Sequence, residues 1–108
     1  MEVLKYDHNY NDKFNGDCFL DIRFHNPELY KVGSVVEVDI PYLVYNLKCV
    51  ISTVKMVSII EITEAEALLG FNMSLEECQA HLYEMYCKEV NNWANANFAV
   101  MVLSYCEG

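Results

Sequence analysis

Arginine is nearly missing from this chain: Arg23 stands alone in 108 residues. Seven Lys and Arg face sixteen Asp and Glu, for a net charge of −9. A surface that grips a phosphate backbone offers several cations to displace counterions. Extensive nucleic-acid contact over the whole surface is therefore excluded. Ordinary solubility accounts for the acid excess, and attraction to a basic protein surface is the sharper alternative. Glycine and proline are also scarce, at four and two residues, which argues against disorder. No apolar run approaches the ~20 residues that span a bilayer. The first residues, Met1 to His8, have neither a basic region nor an apolar core, so no signal peptide is expected.

A CxxC pair is missing too. The five cysteines, at 18, 49, 78, 87 and 106, are odd in number, unlike the paired framework of a small secreted domain. Cys49, Cys78 and Cys106 lie within apolar patterns, where a free thiol packs as a small hydrophobe. A reduced, cytoplasmic protein is expected. His8, His25 and His81 show no metal spacing, and no metal or other cofactor is expected.

What is present is hydrophobic: 54% of residues, with eight Tyr and five Phe. Residues 1–108 read as one domain, large enough to bury its own core. The organising stretch is Tyr30 to Ile62. Val36, Val38 and Ile40 alternate with Val35, Glu37 and Asp39, the period of a strand with one wet face. Gly33-Ser34 turns the chain at its start and Pro41 ends it. The run from Cys49 to Ile62 is almost continuously apolar or small and predicts a strand covered on both faces. Residues 2–6 predict a short first strand, and Tyr10 with Phe14 one helical turn. Cys18–Phe24 reads as a strand with Leu20, Ile22 and Phe24 on one face and Phe19, Asp21 and Arg23 on the other.

After Ile62 the period changes. Thr63-Glu-Ala-Glu66 and Ser74-Leu-Glu-Glu77 are capping boxes. The first predicts a short helix closed by a left-handed Gly70. The second predicts a longer helix to about Val90, with Leu75, Cys78, Leu82 and Met85 or Tyr86 on its apolar stripe. Asn91–Asn97 is a loop, and Phe98–Tyr105 a central strand. The expected class is α+β, a small curled β-barrel with two helices before the last strand.

This order, with these words in it, resembles the ASCH superfamily of PUA-like domains. The carrying pieces are Asn15-Gly16 with the strand ending Ile22-Arg23, the turn and strand Tyr30-Lys-Val-Gly-Ser-Val-Val-Glu-Val, Ile59-Ile-Glu-Ile-Thr-Glu, Gly70-Phe-Asn-Met-Ser-Leu-Glu-Glu and the strand Phe98–Tyr105. They span roughly residues 5–106, and the length is most similar to the small bacterial acetylcytidine amidohydrolases. That resemblance implies a catalytic lysine, threonine and glutamate. Cys18, Asp21 and Phe71 stand in those positions, so the apparatus for activating an amine is replaced. The strand-ending Arg23 is kept, as is Asn72 beside the second helix.

The expected ligand-binding residues are Arg23, Cys18, Asp21 and Asn72, with no catalytic set. Arg23 offers a planar fork to a phosphate, carboxylate or base edge; its bland alternative is an ion pair with Asp21, Glu28 or Asp39. A nucleophilic Cys18 needs His8 or His25 beside it, and is otherwise an ordinary strand cysteine. Capping explains Glu61, Glu64, Glu66, Glu76 and Glu77. Tyr42, Tyr45, Trp93 and Phe98 offer faces for stacking on a base, or ordinary packing. The first functional reading is a non-catalytic binding module for a nucleoside, a modified base or a short RNA element. The second is an acidic inhibitor, of phage or mobile-element type, that binds a basic protein such as a nucleic-acid enzyme. The third is an amidohydrolase acting on acylated nucleosides.

Overall fold

A computed structural model describes residues 2–6, 13–14, 16–40 and 43–106 of the chain. Five strands and two helices follow in order: β1 (Val3–Lys5), β2 (Cys18–Phe24), β3 (Val35–Asp39), β4 (Leu47–Val57), α1 (Glu64–Phe71), α2 (Leu75–Tyr86) and β5 (Phe98–Tyr105). The class is α+β. The strands form one sheet in the order β1-β3-β4-β5-β2. Only β1 and β3 run parallel; the other neighbours are antiparallel. The sheet curls into a half-barrel, and the strand predicted as central, β5, does lie inside it.

The curl divides the core in two. Within it, Leu4, Phe14, Phe19, Val36, Val38, Cys49, Ile51, Met101 and Leu103 pack together. On the other side Ile22, Val57, Ile62, Ala67, Phe71, Cys78, Leu82 and Phe98 join sheet to helices. The alternation of β2 feeds both: Phe19 joins the inner cluster, while Ile22, with Leu20 and Phe24 against it, joins the helix-side cluster.

The turn before β3 is as expected, with Gly33 at φ 89°, a region glycine enters at no steric cost. Pro41, the expected end of that strand, lies outside the described residues, as do His8, Tyr10, Asn15 and Tyr42. The strand expected over 49–62 differs from β4. It begins at Leu47, is irregular between Ile51 and Thr53, and ends at Val57. Ser52, Thr53, Lys55 and Met56 are exposed, so it is not covered on both faces. Beyond the irregularity, among the described residues, β4 pairs with β5 alone. A 3₁₀ turn at Ile59–Glu61 then leads to the helices.

Both helical capping boxes form, Thr63 with Glu66 and Ser74 with Glu77. The left-handed residue after α1 is Asn72 at φ 55°, not Gly70. Gly70 is helical and buried for another reason: a Cβ there would sit 3.3 Å from Leu20 Cδ2 and 3.4 Å from Ile22 Cδ1. Absence of a side chain lets α1 lie close on β2. The second helix ends at Tyr86 rather than Val90, and Tyr86 continues its stripe while Met85 is exposed. Cys49 and Cys78 are buried as expected, their thiols pushed up by burial to about 12 and about 11. Cys106 lies just past β5 and is exposed instead. Among the described residues, no helix is long and apolar enough to cross a membrane.

Candidate functional site at the sheet seam

The outer strands of the sheet, β1 and β2, are drawn together by side chains. Asp21 sits on the inner face of β2 and is 3% exposed, the buried charged residue among those described. A buried carboxylate is costly unless paired and hydrogen-bonded. Arg23, two residues along the same face, donates Nε to Asp21 Oδ2 at 2.6 Å. Tyr6, just past β1, donates its hydroxyl to the same oxygen at 2.8 Å. Arg23 Nη2 then donates to the Lys5 carbonyl at 2.9 Å, and the guanidinium lies 5.0 Å from the Tyr6 ring centre. Burial works against the Arg23 charge, but Asp21, Tyr6 and Tyr30 together outweigh it and hold the guanidinium well above its ordinary value. Burial, then the Asp21 charge, pushes the Tyr6 hydroxyl well up.

A second cation joins this cluster. Lys13 Nζ donates to the carbonyls of Leu20 at 3.0 Å and Gly70 at 2.9 Å. Its ammonium lies 5.2 Å from the ring centre of Tyr6, 5.3 Å from Phe14, 5.7 Å from Phe19 and 6.0 Å from Phe71. Such ring faces attract a cation electrostatically. Even so, burial lowers the Lys13 pKa from its ordinary value, with Asp21 opposing the shift. Two cations thus share one carboxylate, a local positive excess in an acidic chain.

Lys13 also borders a cavity of about 290 Å³, walled by Cys18, Phe19, Leu20, Leu69 and Val102. The expected site residues therefore separate. Asp21 and Arg23 meet in the seam, and Cys18 opens the neighbouring cavity. Asn72 is exposed and caps α1, its N–H bonded to the Ala67 and Leu68 carbonyls. The pairing of Arg23 with Asp21 is one of the three bland alternatives read from sequence. Phe71, where the resemblance places a glutamate, turns its ring toward Lys13 and lies 5.1 Å from His81. Trp93 and Phe98 stack at 6.1 Å within the helix-side core, and Tyr45 is exposed.

Sequence reasoning passed over Lys13. It lies in a polar segment before β2, and its one local signal is the adjacent Phe14. What makes it part of the site is contact with Gly70, far along the chain. No family model matches this chain, and no curated protein and no solved structure matches it either.

Proposed function

We propose that this protein is a small-ligand binding module, an ASCH-type domain whose seam holds a nucleoside or modified base. The observation that carries the reading is Lys13: a half-buried ammonium at the wall of a 290 Å³ cavity whose other sides are largely apolar. Ligand sites of this kind combine apolar walls with a few placed polar groups. An ammonium has three donors; two serve Leu20 and Gly70, and the third is assigned to a carbonyl or anionic oxygen of the ligand. Phe19 and Leu69 supply the faces, with Cys18 at the mouth. Arg23 acts from behind, fixing Asp21 and Tyr6 and adding positive potential. A short RNA element fits less well, because the chain carries −9 overall.

One feature favours the amidohydrolase reading as second choice. Burial lowers the Lys13 pKa, which raises the share of free amine available as a base. The deciding experiment is a thermal-shift screen against nucleosides, modified bases and nucleotides, followed by a turnover assay on acylated nucleosides. A ligand at 100 times its Kd adds about 2.7 kcal/mol, a shift of several degrees. A hit lost in Lys13→Met, without turnover, is the expected result. Turnover that disappears in Lys13→Met replaces the binding module with the hydrolase. A silent screen overturns both and leaves the acidic inhibitor, for which salt-sensitive capture by a basic protein is the test.

A further inference from the structure

The acid excess is concentrated around the helices. Between Ser58 and Ala94 the sequence has seven Glu and one cation, Lys88, against nine acids and six cations elsewhere. Within that region lies an apolar hollow of about 210 Å³, lined by Ser58, Ile59, Ile60, Tyr83, Trp93 and Ala94. It is smaller than the ~300–1,000 Å³ of small-molecule sites, and suits one side chain presented by a partner. Gln79 of α2 donates Nε2 to the Ile59 carbonyl at 3.2 Å, fastening the helix to the 3₁₀ turn. Tyr83 follows Gln79 by one helical turn and Glu76 precedes it by one, so the three share a face of α2. Tyr83 and Trp93 meet edge to face with ring centres 4.3 Å apart. Trp93 also stacks on buried Phe98 at 6.1 Å, which fixes the indole.

The charge beside this hollow has one sign. Glu61 Oε1 accepts the N–H of Ser58, a wall residue, at 2.8 Å. That bond places an exposed carboxylate at the rim. Hydrogen bonding from Ser58 also holds the Glu61 carboxyl below its ordinary pKa, so it is ionised at neutral pH. Glu76 is exposed as well. Lys55, near this end of β4, is committed to Glu66 at 2.6 Å, and no Lys or Arg lines the hollow. Ile60, 80% exposed, and the exposed Tyr83 extend apolar surface beyond it.

We propose that this hollow is a docking site for a basic segment of a partner protein, which inserts an arginine side chain against Tyr83, Trp93 and Glu61. Aromatic faces attract a cation, and a guanidinium can lie flat on a ring while pairing with a carboxylate. An apolar neighbour of that arginine covers Ile60. An acidic segment would meet like charge from Glu61 and Glu76. The hollow shares no lining residue with the cavity assigned to Lys13 and stands without it.

Trp93 is the chain's single tryptophan, so fluorescence of the full chain reads the hollow directly. The probes are a short amidated peptide alternating leucine and arginine, and the same peptide with neutral citrulline for arginine. The arginine peptide is expected to change Trp93 emission saturably, and the citrulline peptide to bind about tenfold more weakly. Tyr83→Ala should also weaken the arginine peptide about tenfold. Glu61→Gln keeps the capping bond to Ser58 while removing the charge, and should weaken it about threefold. Glu37→Gln, on β3 opposite Lys48, removes the same charge far from the hollow and should change little. Equal losses in Glu61→Gln and Glu37→Gln show mere attraction to an acidic chain and overturn the proposal. So does a citrulline peptide that binds as tightly, or emission that ignores both peptides at millimolar concentration. Emission that depends instead on protein concentration, with a dimer in sedimentation, assigns the hollow to a second copy and overturns it too. Should Tyr83→Ala disturb α2, the two glutamate variants decide alone.

Discussion

The two faces of β2 solve one problem by opposite means. Leu20, Ile22 and Phe24 hold the helices by apolar contact, close enough that Gly70 has no room for a side chain without displacement. Phe19, Asp21 and Arg23 hold the far edge of the sheet with an ion pair, a tyrosine hydroxyl and one backbone carbonyl. Apolar contact is non-directional and tolerates sliding. Charge-assisted hydrogen bonds fix angle and register. The helix side therefore carries stability, and the seam carries geometry. A cavity beside the seam inherits that geometry, which is why the proposed binding role is placed there.

The largest effect should come from the helix side. Ile22→Ala empties a position that is 1% exposed, and is expected to cost about 3 kcal/mol by urea denaturation. Asp21→Ala should cost less, about 2 kcal/mol, since the Arg23 side chain is 21% exposed and partly hydrated. The double change Asp21→Leu with Arg23→Met should recover most of that loss, because apolar replacements of buried pairs are often neutral. Ligand binding should not recover with it. A double variant that binds normally would place the geometry elsewhere.

A further effect is an alkaline one, and it sharpens the contrast. Burial raises the pKa of Tyr6, Tyr30, Tyr86 and Tyr105, and of Cys49 and Cys78. Groups raised on folding hold their protons longer than in the unfolded chain, so their stabilisation is complete at neutral pH. It is lost as pH climbs past their ordinary values of 9.0 for Cys and 10.0 for Tyr. Lys13 is lowered and has the opposite sign, its contribution improving as pH approaches 10.5. The six raised groups outweigh it. Urea midpoints are expected to fall between about pH 9 and 11, with a shallower fall in Tyr6→Phe.

Much of this fold is legible in the residues. β2 and β5 have their predicted bounds because alternation in one and an unbroken apolar run in the other are local signals. The two helix starts are equally local, each written in four residues. The end of α1 is not, because Gly70 looks like a cap until Leu20 and Ile22 are seen beneath it, and Asn72 serves as the left-handed residue. The exposed half of β4 was hidden for the same reason. Its sequence shows apolar and small residues, not which of them the fold leaves exposed. Asp21 with Arg23 was visible as an alternative, two residues apart on one strand face. Lys13 was not, since its partners at Leu20 and Gly70 come together only when α1 lies on β2.

The pairing of β2 has a further consequence, in time rather than space. β3 and β4 are neighbours in sequence and can form a hairpin early, whereas β2 waits for β5, with Phe24 meeting Phe98 and Cys18 meeting Ser104. Contacts that distant in sequence form slowly. Until then Phe19 and Ile22 have no ladder to join, and Asp21 and Arg23 remain hydrated. The seam is thus the last part of the molecule to dry, and pulse-labelled hydrogen exchange should find β2 amides protected after those of β4.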